Sequence, residues 1–236
     1  MSRFTNRLIA HATRLAITTL ITGAAAACSD SDSVSPATAS TITVVSGGAQ
    51  TGVVNTALGS IVVVEVMSSS GAPVVGAVVA FAPSANAGSI SATQATTDGS
   101  GQAAVVWTLG TVAGADTLVA TIGSLSTTIV ANATPDVAAN LVVAAGNNQD
   151  GTSGSALSVP LSVKVTDQFG NAVSNVAVQW SDDHGGSFST STSLTDATGV
   201  AVTTYTLSGS TGVADVTASA TSGAWSSSAT FTEDGN

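Results

Sequence analysis

Basic residues are the scarcest feature of this sequence. The 236 residues contain four Lys and Arg against 14 Asp and Glu. Arg3, Arg7 and Arg14 all stand near the N-terminus, so the chain beyond residue 27 carries one lysine, Lys164, and a formal charge of −13. Binding to a nucleic acid backbone needs clustered Lys and Arg that release counterions, which excludes nucleic acid as a partner. The acidic surface favours solubility and attracts divalent cations or a basic partner.

Cysteine and aromatic residues are almost absent. Cys28 is the only cysteine, so no disulfide can form within the chain, although disulfides are common in exported proteins. Aromatic residues make up only 4% of the sequence. Any folded domain must therefore be held by an aliphatic core with a few aromatic side chains, and about 95 residues are enough to bury such a core.

The sequence also lacks a hydrophobic run long enough to cross a membrane. A mainly apolar run from Leu15 to Ala27 follows basic residues, which is typical of a secretory signal peptide over residues 1–27. His11 and Arg14 interrupt the run upstream, so it falls short of the roughly 20 apolar residues that span a bilayer. Later apolar runs are only of strand length. The sequence predicts export across the inner membrane without a transmembrane helix.

The single cysteine stands where a lipid anchor would be attached. Cys28 directly follows Ala25-Ala26-Ala27, and this segment resembles the lipobox of bacterial lipoproteins, although that family usually has a larger aliphatic residue at the position of Ala25. The resemblance implies lipidation of Cys28 and attachment to the membrane through that lipid, and Ser29 in place of Asp implies export to the outer membrane. The alternative is ordinary cleavage after Ala25 or Ala27, with an incidental cysteine beside the cleavage site.

The segment after the signal peptide has little to bury. Residues 28–39 are mostly Ser, Asp, Thr, Pro and Ala, a composition that stays disordered. We expect a flexible tether that holds the first domain roughly 15 to 20 Å from the membrane anchor.

Beyond the tether, the chain repeats itself with a period of about 99 residues, and this repeat determines the architecture. The matching segments are Ile42–Gly52 with Leu141–Gly151, Val62–Val66 with Leu161–Val165, Val79–Phe81 with Val178–Trp180, Gly88–Ile90 with Gly186–Phe188, Thr97–Gly101 with Thr195–Gly199, and Ala103–Leu109 with Ala201–Leu207. The sequence therefore predicts two copies of one domain, over residues 40–134 and 135–236.

Each copy has the periodicity of β-strands. Leu161, Val163 and Val165 alternate with polar residues, and the following segment, Asp167–Asn171, has the composition of a turn. About seven such strands per copy, with turn signals every 8 to 12 residues, are typical of an antiparallel β-sandwich. The predicted core residues are Val64, Val79, Phe81, Trp107, Leu109 and Ile122 in the first copy, and Val163, Val178, Trp180, Tyr205, Leu207 and Phe231 in the second.

The pattern of the second copy resembles the bacterial immunoglobulin-like (Ig-like) domains of the intimin and invasin type, group 1. It runs V-x-V-x-D-x-x-G-N from Val163 to Asn171, continues to Trp180, and is followed by T-D-x-x-G-x-A from Thr195. The first copy has Ser68 and Ala72 where the second has Asp167 and Asn171, which predicts a weaker turn. The resemblance implies an all-β chain of two tandem Ig-like sandwiches that acts as a stalk or adhesive module at the cell surface, with an unknown protein or glycan as partner.

The densest polar group follows the strand that contains Trp180. Asp182, Asp183 and His184 could bind a divalent metal, but adjacent Asp side chains point apart and no further ligand is near in sequence. A solvated loop is the favoured interpretation, and we expect no metal and no cofactor. Asp98 and Asp196, each in a T-D-x-x-G segment, are predicted to cap their own turns.

Catalysis has no support in the sequence. His184 is the only histidine beyond residue 27, and no G-x-S-x-G segment is present. We therefore expect the protein not to be an enzyme.

Trp225 allows two interpretations. An aromatic side chain on a sandwich loop can stack on a sugar ring or form part of a protein interface, but it can equally pack against the core. The leading hypothesis is a lipid-anchored spacer or adhesion module. The alternative is a polysaccharide-binding module that uses Trp225 and the 182–184 loop.

Overall fold

The structure is a computed structural model that describes residues 38–236. The predicted signal peptide, Cys28 and nearly all of the predicted tether lie outside the described residues. Within residues 38–236 the regular structure consists of β-strands, and no helix there is long and apolar enough to cross a membrane.

The first ten strands form the first sandwich. They are β1 (Ala39–Ser46), β2 (Gln50–Val53), β3 (Val62–Ser68), β4 (Val78–Pro83), β5 (Ser89–Ile90), β6 (Gln94–Thr96), β7 (Gln102–Val105), β8 (Trp107–Thr108), β9 (Gly114–Ile122) and β10 (Leu125–Thr134). One sheet has the order β1-β3-β7, the other has the order β2-β10-β9-β4-β6, and β5 pairs with β8.

The next ten strands repeat this arrangement and form the second sandwich. They are β11 (Asn140–Ala145), β12 (Asp150–Gly151), β13 (Leu161–Thr166), β14 (Ala177–Asp182), β15 (Ser187–Phe188), β16 (Thr192–Leu194), β17 (Val200–Thr203), β18 (Tyr205–Thr206), β19 (Gly212–Ser222) and β20 (Trp225–Gly235). The sheets have the orders β11-β13-β17 and β12-β20-β19-β14-β16, and β15 pairs with β18. The predicted all-β fold of two sandwiches is confirmed.

One strand pair in each sandwich is parallel, although the sequence analysis predicted antiparallel pairing. Strand β1 pairs with β3 in one sheet, in the antiparallel direction. The chain then crosses to the other sheet, where β2 pairs with β10 in the parallel direction. Gly47 makes this crossing possible, because its φ is +79° and a Cβ atom there would lie 2.5 Å from the Ile61 carbonyl oxygen. Gly146 occupies the same position in the second sandwich.

The predicted core residues are buried in both sandwiches, with one exception. Ile122 is only partly buried, and its assignment to the first core was wrong. It is the last residue of β9, and β4 pairs with β9 only as far as Thr121, so the sheet gives Ile122 little cover. Leu118 and Ile129, which were not predicted, fill that core.

Each core contains a buried aromatic side chain whose polar group donates a hydrogen bond. Trp107 is fully buried and its Nε1 donates to the Ala87 carbonyl oxygen at 2.7 Å. In the second sandwich Tyr205 takes the place of Trp107, and its hydroxyl donates to Asp182 Oδ2 at 2.9 Å. Burial, together with the Asp182 carboxylate, raises the pKa of Tyr205, so the hydroxyl stays protonated and continues to donate.

The loss of this tyrosine hydroxyl gives a measurable expectation. We expect Tyr205→Phe to lower the free energy of unfolding by about 1 to 2 kcal/mol, because the ring still fills the core while Asp182 loses one donor. Urea denaturation of the variant measures this change. A loss as large as that expected for removing the whole ring would contradict the assignment of the effect to the hydroxyl.

Candidate functional site

The segment Asp167–Asn171 forms a hydrogen-bonded cluster at the start of the second sandwich. Asp167 is fully buried. Its Oδ1 accepts from the backbone N–H groups of Phe169 at 2.9 Å and Asn171 at 2.8 Å. Its Oδ2 accepts from the Asp136 N–H at 3.0 Å and from Asn171 Nδ2 at 2.8 Å. The Asp167 carboxylate therefore holds together the 167–171 loop, the backbone at Asp136 and the Asn171 side chain.

Asn171 connects the two sandwiches. Its Oδ1 accepts from the Ala113 N–H at 2.8 Å, and its Nδ2 donates to the Thr111 carbonyl oxygen at 2.9 Å. Both partners belong to the loop that precedes β9 in the first sandwich. Both sandwiches also belong to one compact unit of the chain. We call the contacts among Thr111, Ala113, Asp167 and Asn171 the junction.

The sequence predicts a turn at Asp167 and Asn171 but does not reveal their role between the two sandwiches. In the first sandwich the same turn forms without them, because the Ser68 N–H donates to the Ala72 carbonyl oxygen at 2.9 Å. The Asp167 N–H makes the equivalent bond to Asn171, also at 2.9 Å. The turn itself therefore does not require the two polar side chains, and the difference between the copies was the available signal of another role.

The electrostatics of the junction predict a loss of stability in acid. Burial alone raises the pKa of Asp167, but the hydrogen bonds from Asn171, Asp136 and Phe169 outweigh it and hold the pKa below its usual range. A group with a lowered pKa in the folded state contributes stability that is complete above its unfolded value, near 4, and is lost as the pH falls through the folded value.

We therefore expect the second sandwich to unfold at lower temperature as the pH falls below about 4. Asp182, whose pKa is lowered by hydrogen bonds from Gly186 and Tyr205 although burial opposes this, acts in the same direction. Thermal melts between neutral and acidic pH measure the effect, and an Asp167→Asn variant should show a smaller acid dependence. An unchanged acid dependence in that variant would contradict the assignment to Asp167.

The two carboxylates of the 182–184 loop accept hydrogen bonds from other groups of the protein. Asp182 Oδ2 accepts from the N–H groups of His184 at 3.2 Å and Gly186 at 2.7 Å, in addition to the Tyr205 hydroxyl. Asp183 Oδ1 accepts from the Asp215 N–H at 2.9 Å. The two carboxylates are thus committed to different groups. Within residues 38–236 no three His, Cys, Asp or Glu side chains come together in a way that could hold a metal ion.

Trp225 lies far from that loop. It is half-buried against the second core, and its Nε1 donates to the Ala139 carbonyl oxygen at 3.0 Å. Trp225 begins β20, whereas the loop lies beside Gly212, which pairs with Gly235 at the other end of that strand. Ten residues of strand separate the two ends, or about 33 Å. The structure therefore does not bring Trp225 and the 182–184 loop into one site.

Asp98 and Asp196 cap turns, as the sequence predicts. Asp98 Oδ1 accepts from the N–H groups of Ser100 and Gln102, and Asp196 Oδ1 accepts from those of Thr198 and Val200. The hydrogen bonds from Gln102 and Ser100 lower the pKa of Asp98. The pKa of Asp196 is lowered first by the Thr198 hydroxyl, which donates to Oδ1 at 2.7 Å, and then by the backbone N–H groups of Val200 and Thr198. Neither aspartate belongs to the junction.

Comparison with known proteins agrees with the sandwich geometry. Residues 139–232 match the family model described as bacterial Ig-like domain, group 1. The second sandwich is therefore similar to the bacterial Ig-like domains of group 1. This confirms the resemblance found in the sequence, and the group 1 Ig-like domain accounts for nearly all of β11 to β20. No curated protein matches the chain.

Two of the solved structures that the chain matches, FdeC and InvD, share its sandwich fold. The FdeC adhesin of Escherichia coli is 21% identical, with a TM-score of 0.54 over 83% of this chain and 63% of that structure. InvD of Yersinia pseudotuberculosis is 16% identical, with a TM-score of 0.52 over 82% of this chain and 57% of that structure. The D0–D1 domain of intimin is 20% identical, with a TM-score of 0.31 over 83% of this chain and 98% of that structure. At these identities the sandwich fold alone is what FdeC and InvD share with this chain.

Proposed function

We propose that this chain is a cell-envelope protein in which two Ig-like sandwiches act as a spacer or adhesion module. In this proposal a lipid on Cys28 attaches the chain to the envelope, and the outer membrane is the site of attachment. The partner is a protein or glycan at the cell surface. FdeC is described as an adhesin, and an adhesive role is compatible with a fold of that type.

The observation that carries the proposal is the junction. A spacer must keep its two domains in a fixed relation, and Asn171 supplies two hydrogen bonds across the boundary, to the Thr111 carbonyl oxygen and the Ala113 N–H. Asp167 holds the Asn171 side chain in the orientation that makes both bonds. Both partners in the first sandwich are backbone groups, which cannot change rotamer, so the contact restricts bending more than a contact between two flexible side chains would.

We infer no catalytic role for the described residues. His184 Nε2 has no hydrogen-bond partner, so no nucleophile is hydrogen-bonded to that nitrogen. The polysaccharide alternative depends on Trp225 and the 182–184 loop acting as one site, and they lie at opposite ends of the second sandwich. A packing role for Trp225 agrees with its contact with Ala139.

The anchor is tested by intact-mass analysis of the protein from the membrane fraction of its native host, beside a Cys28→Ser variant. We expect the wild-type mass to include a lipid on Cys28 and the variant to lack it and to leave the membrane fraction. A wild-type chain that is unmodified and freely secreted would contradict the anchored part of the proposal. That outcome would not affect the proposed spacer role of the two sandwiches, which depends on the junction.

A further inference from the structure

The three-stranded sheets of the two sandwiches each contain one charged residue, and the two charges are opposite. In β1, β3 and β7 the charged residue is Glu65, and in β11, β13 and β17 it is Lys164. Both lie on the middle strand between buried valines, so each side chain stands on the outward face of its sheet. We call the outward surface of β1-β3-β7 the glutamate face and that of β11-β13-β17 the lysine face.

Lys164 has uncharged neighbours throughout the lysine face. It pairs with Val142 on one side and with Val200 on the other, and the next residues of β13 on this face are Ser162 and Thr166. The Lys164 side chain is exposed, and it is the only Lys or Arg in residues 38–236. The single cation of the described residues therefore has no carboxylate beside it on its own sheet.

Glu65 has the equivalent position on the glutamate face. It pairs with Thr43 on β1 and with Gln102 on β7, just as Lys164 pairs with β11 and β17. Gln102 Nε2 donates to Glu65 Oε1 at 3.3 Å, which holds the half-buried carboxylate in place. An ionised carboxylate can accept about four hydrogen bonds, and a lysine ammonium carries three donors. The Glu65 carboxylate therefore keeps acceptor capacity for an ammonium group.

The charge of the two sandwiches favours one direction of pairing between two copies. Residues 38–134 contain three carboxylates and residues 135–236 contain nine carboxylates and Lys164, so the formal charges are −3 and −8. Two antiparallel copies place each −3 sandwich beside a −8 sandwich. Two parallel copies place the two −8 sandwiches side by side, which repels more strongly. The antiparallel direction is also the one that brings a glutamate face to a lysine face when the copies lie in register.

The area of the faces requires that both take part. Three strands about 4.8 Å apart, with seven residues in β3 and six in β13, give each face an area of about 300 Å². One contact between two faces covers about 600 Å², which is less than specific interfaces bury. Two contacts cover about 1,200 Å², which reaches the lower limit of the usual range. A pair that uses both contacts is also closed, because neither copy keeps a free face.

We propose that two copies of this chain pair in antiparallel directions, with the glutamate face of each copy on the lysine face of the other and Glu65 bound to the partner's Lys164. The contact also covers Val142 and Val202, which are 53% and 46% exposed in the single chain. The proposal rests on the adhesion role and deepens it, since the partner at the cell surface is then a second copy. The N-terminal ends of the two chains lie at opposite ends of such a pair, so the pair joins two surfaces that each carry one copy.

Sedimentation equilibrium of the chain from residue 28 tests the proposal, in a Cys28→Ser background so that no disulfide joins two copies. We expect a dimer whose population rises with concentration. Glu65→Lys should weaken the dimer at least about tenfold, because two ammonium groups then face each other. The same substitution makes the chain less negative, so an association governed by net charge alone would become stronger. Glu65→Lys combined with Lys164→Glu reverses both charges and should restore the dimer.

Asp215→Lys is the matched control, because it makes the same change of charge at an exposed position of the five-stranded sheet. It should not weaken the dimer, and circular dichroism confirms that each variant is folded. A chain that stays monomeric at every concentration would overturn the proposal, as would assemblies larger than two copies. Equal affinity in Glu65→Lys and Asp215→Lys, or no recovery in the charge-reversed variant, would overturn the pairing of Glu65 with Lys164. None of these results affects the anchor or the junction, which are measured separately.

Discussion

Replacing Trp107 by alanine is expected to lower the free energy of unfolding of the first sandwich by about 3 to 5 kcal/mol. The Trp107 side chain is fully buried, and its Nε1 donates to the Ala87 carbonyl oxygen. The substitution leaves a cavity in a domain with few other large side chains, and it leaves a buried carbonyl without its donor. Urea denaturation followed by far-ultraviolet circular dichroism measures the loss. The remaining tryptophan fluorescence, from Trp180 and Trp225, reports the second sandwich.

Two comparisons separate packing from hydrogen bonding in this experiment. Trp107→Phe keeps most of the ring volume and loses the N–H donor, so we expect a smaller loss of about 1 to 2 kcal/mol. Trp225→Ala removes a side chain that is only half-buried, and it should cost less than Trp107→Ala. A Trp107→Ala variant as stable as Trp225→Ala would contradict the assignment of Trp107 to the centre of the core.

Replacing Asp167 by alanine is expected to lower the free energy of unfolding of the second sandwich by about 3 kcal/mol. Four donors lose their acceptor, namely the N–H groups of Asp136, Phe169 and Asn171 and the side-chain amide of Asn171. Leaving a buried donor unsatisfied costs about 1 to 3 kcal/mol, and the four costs do not add because the loop relaxes. Urea denaturation measures the change when tryptophan fluorescence is recorded in a Trp107→Phe background, in which the remaining tryptophans, Trp180 and Trp225, both lie in the second sandwich.

Asp196→Ala is the matched control for this substitution. Asp196 also caps a turn through its Oδ1, but it is exposed, so water can replace it as the acceptor. The urea midpoint of the second sandwich should move clearly less than in Asp167→Ala. Equal shifts in the two variants would mean that Asp167 acts only as a turn cap, as the sequence analysis supposed.

The cores were predictable because strands have a period of two and because few large side chains were available. Val163, Val178 and Trp180 are buried as expected, since alternation assigns them to one face. The error at Ile122 arose because alternation carries no information on where a neighbouring strand ends. Ile122 is on the correct face, but it lies one residue beyond the part of β9 that pairs with β4.

The junction was not predictable from one copy of the repeat. The partners of Asn171 in the first sandwich are the backbone atoms of Thr111 and Ala113, and backbone atoms leave no signal in the sequence. The comparison of the two copies does show one part of the junction, because the first copy has Ser68 and Ala72 where the second has Asp167 and Asn171.

The central claim is that the junction holds the two sandwiches in a fixed relation. The measurement that tests it most directly is the distance between the two sandwiches in solution. One spin label is attached at Ser126→Cys on β10 and the other at Ser228→Cys on β20, in a Cys28→Ser background. Both positions are exposed, and each lies on a strand that is paired within its own sandwich, β10 with β9 and β20 with β19. Pulsed electron paramagnetic resonance should give one narrow distance distribution for the parent protein. Asn171→Ala should broaden this distribution, and the exposed control Gln179→Ala should not. A distribution as broad in the parent protein as in Asn171→Ala would contradict a fixed spacer held by the junction.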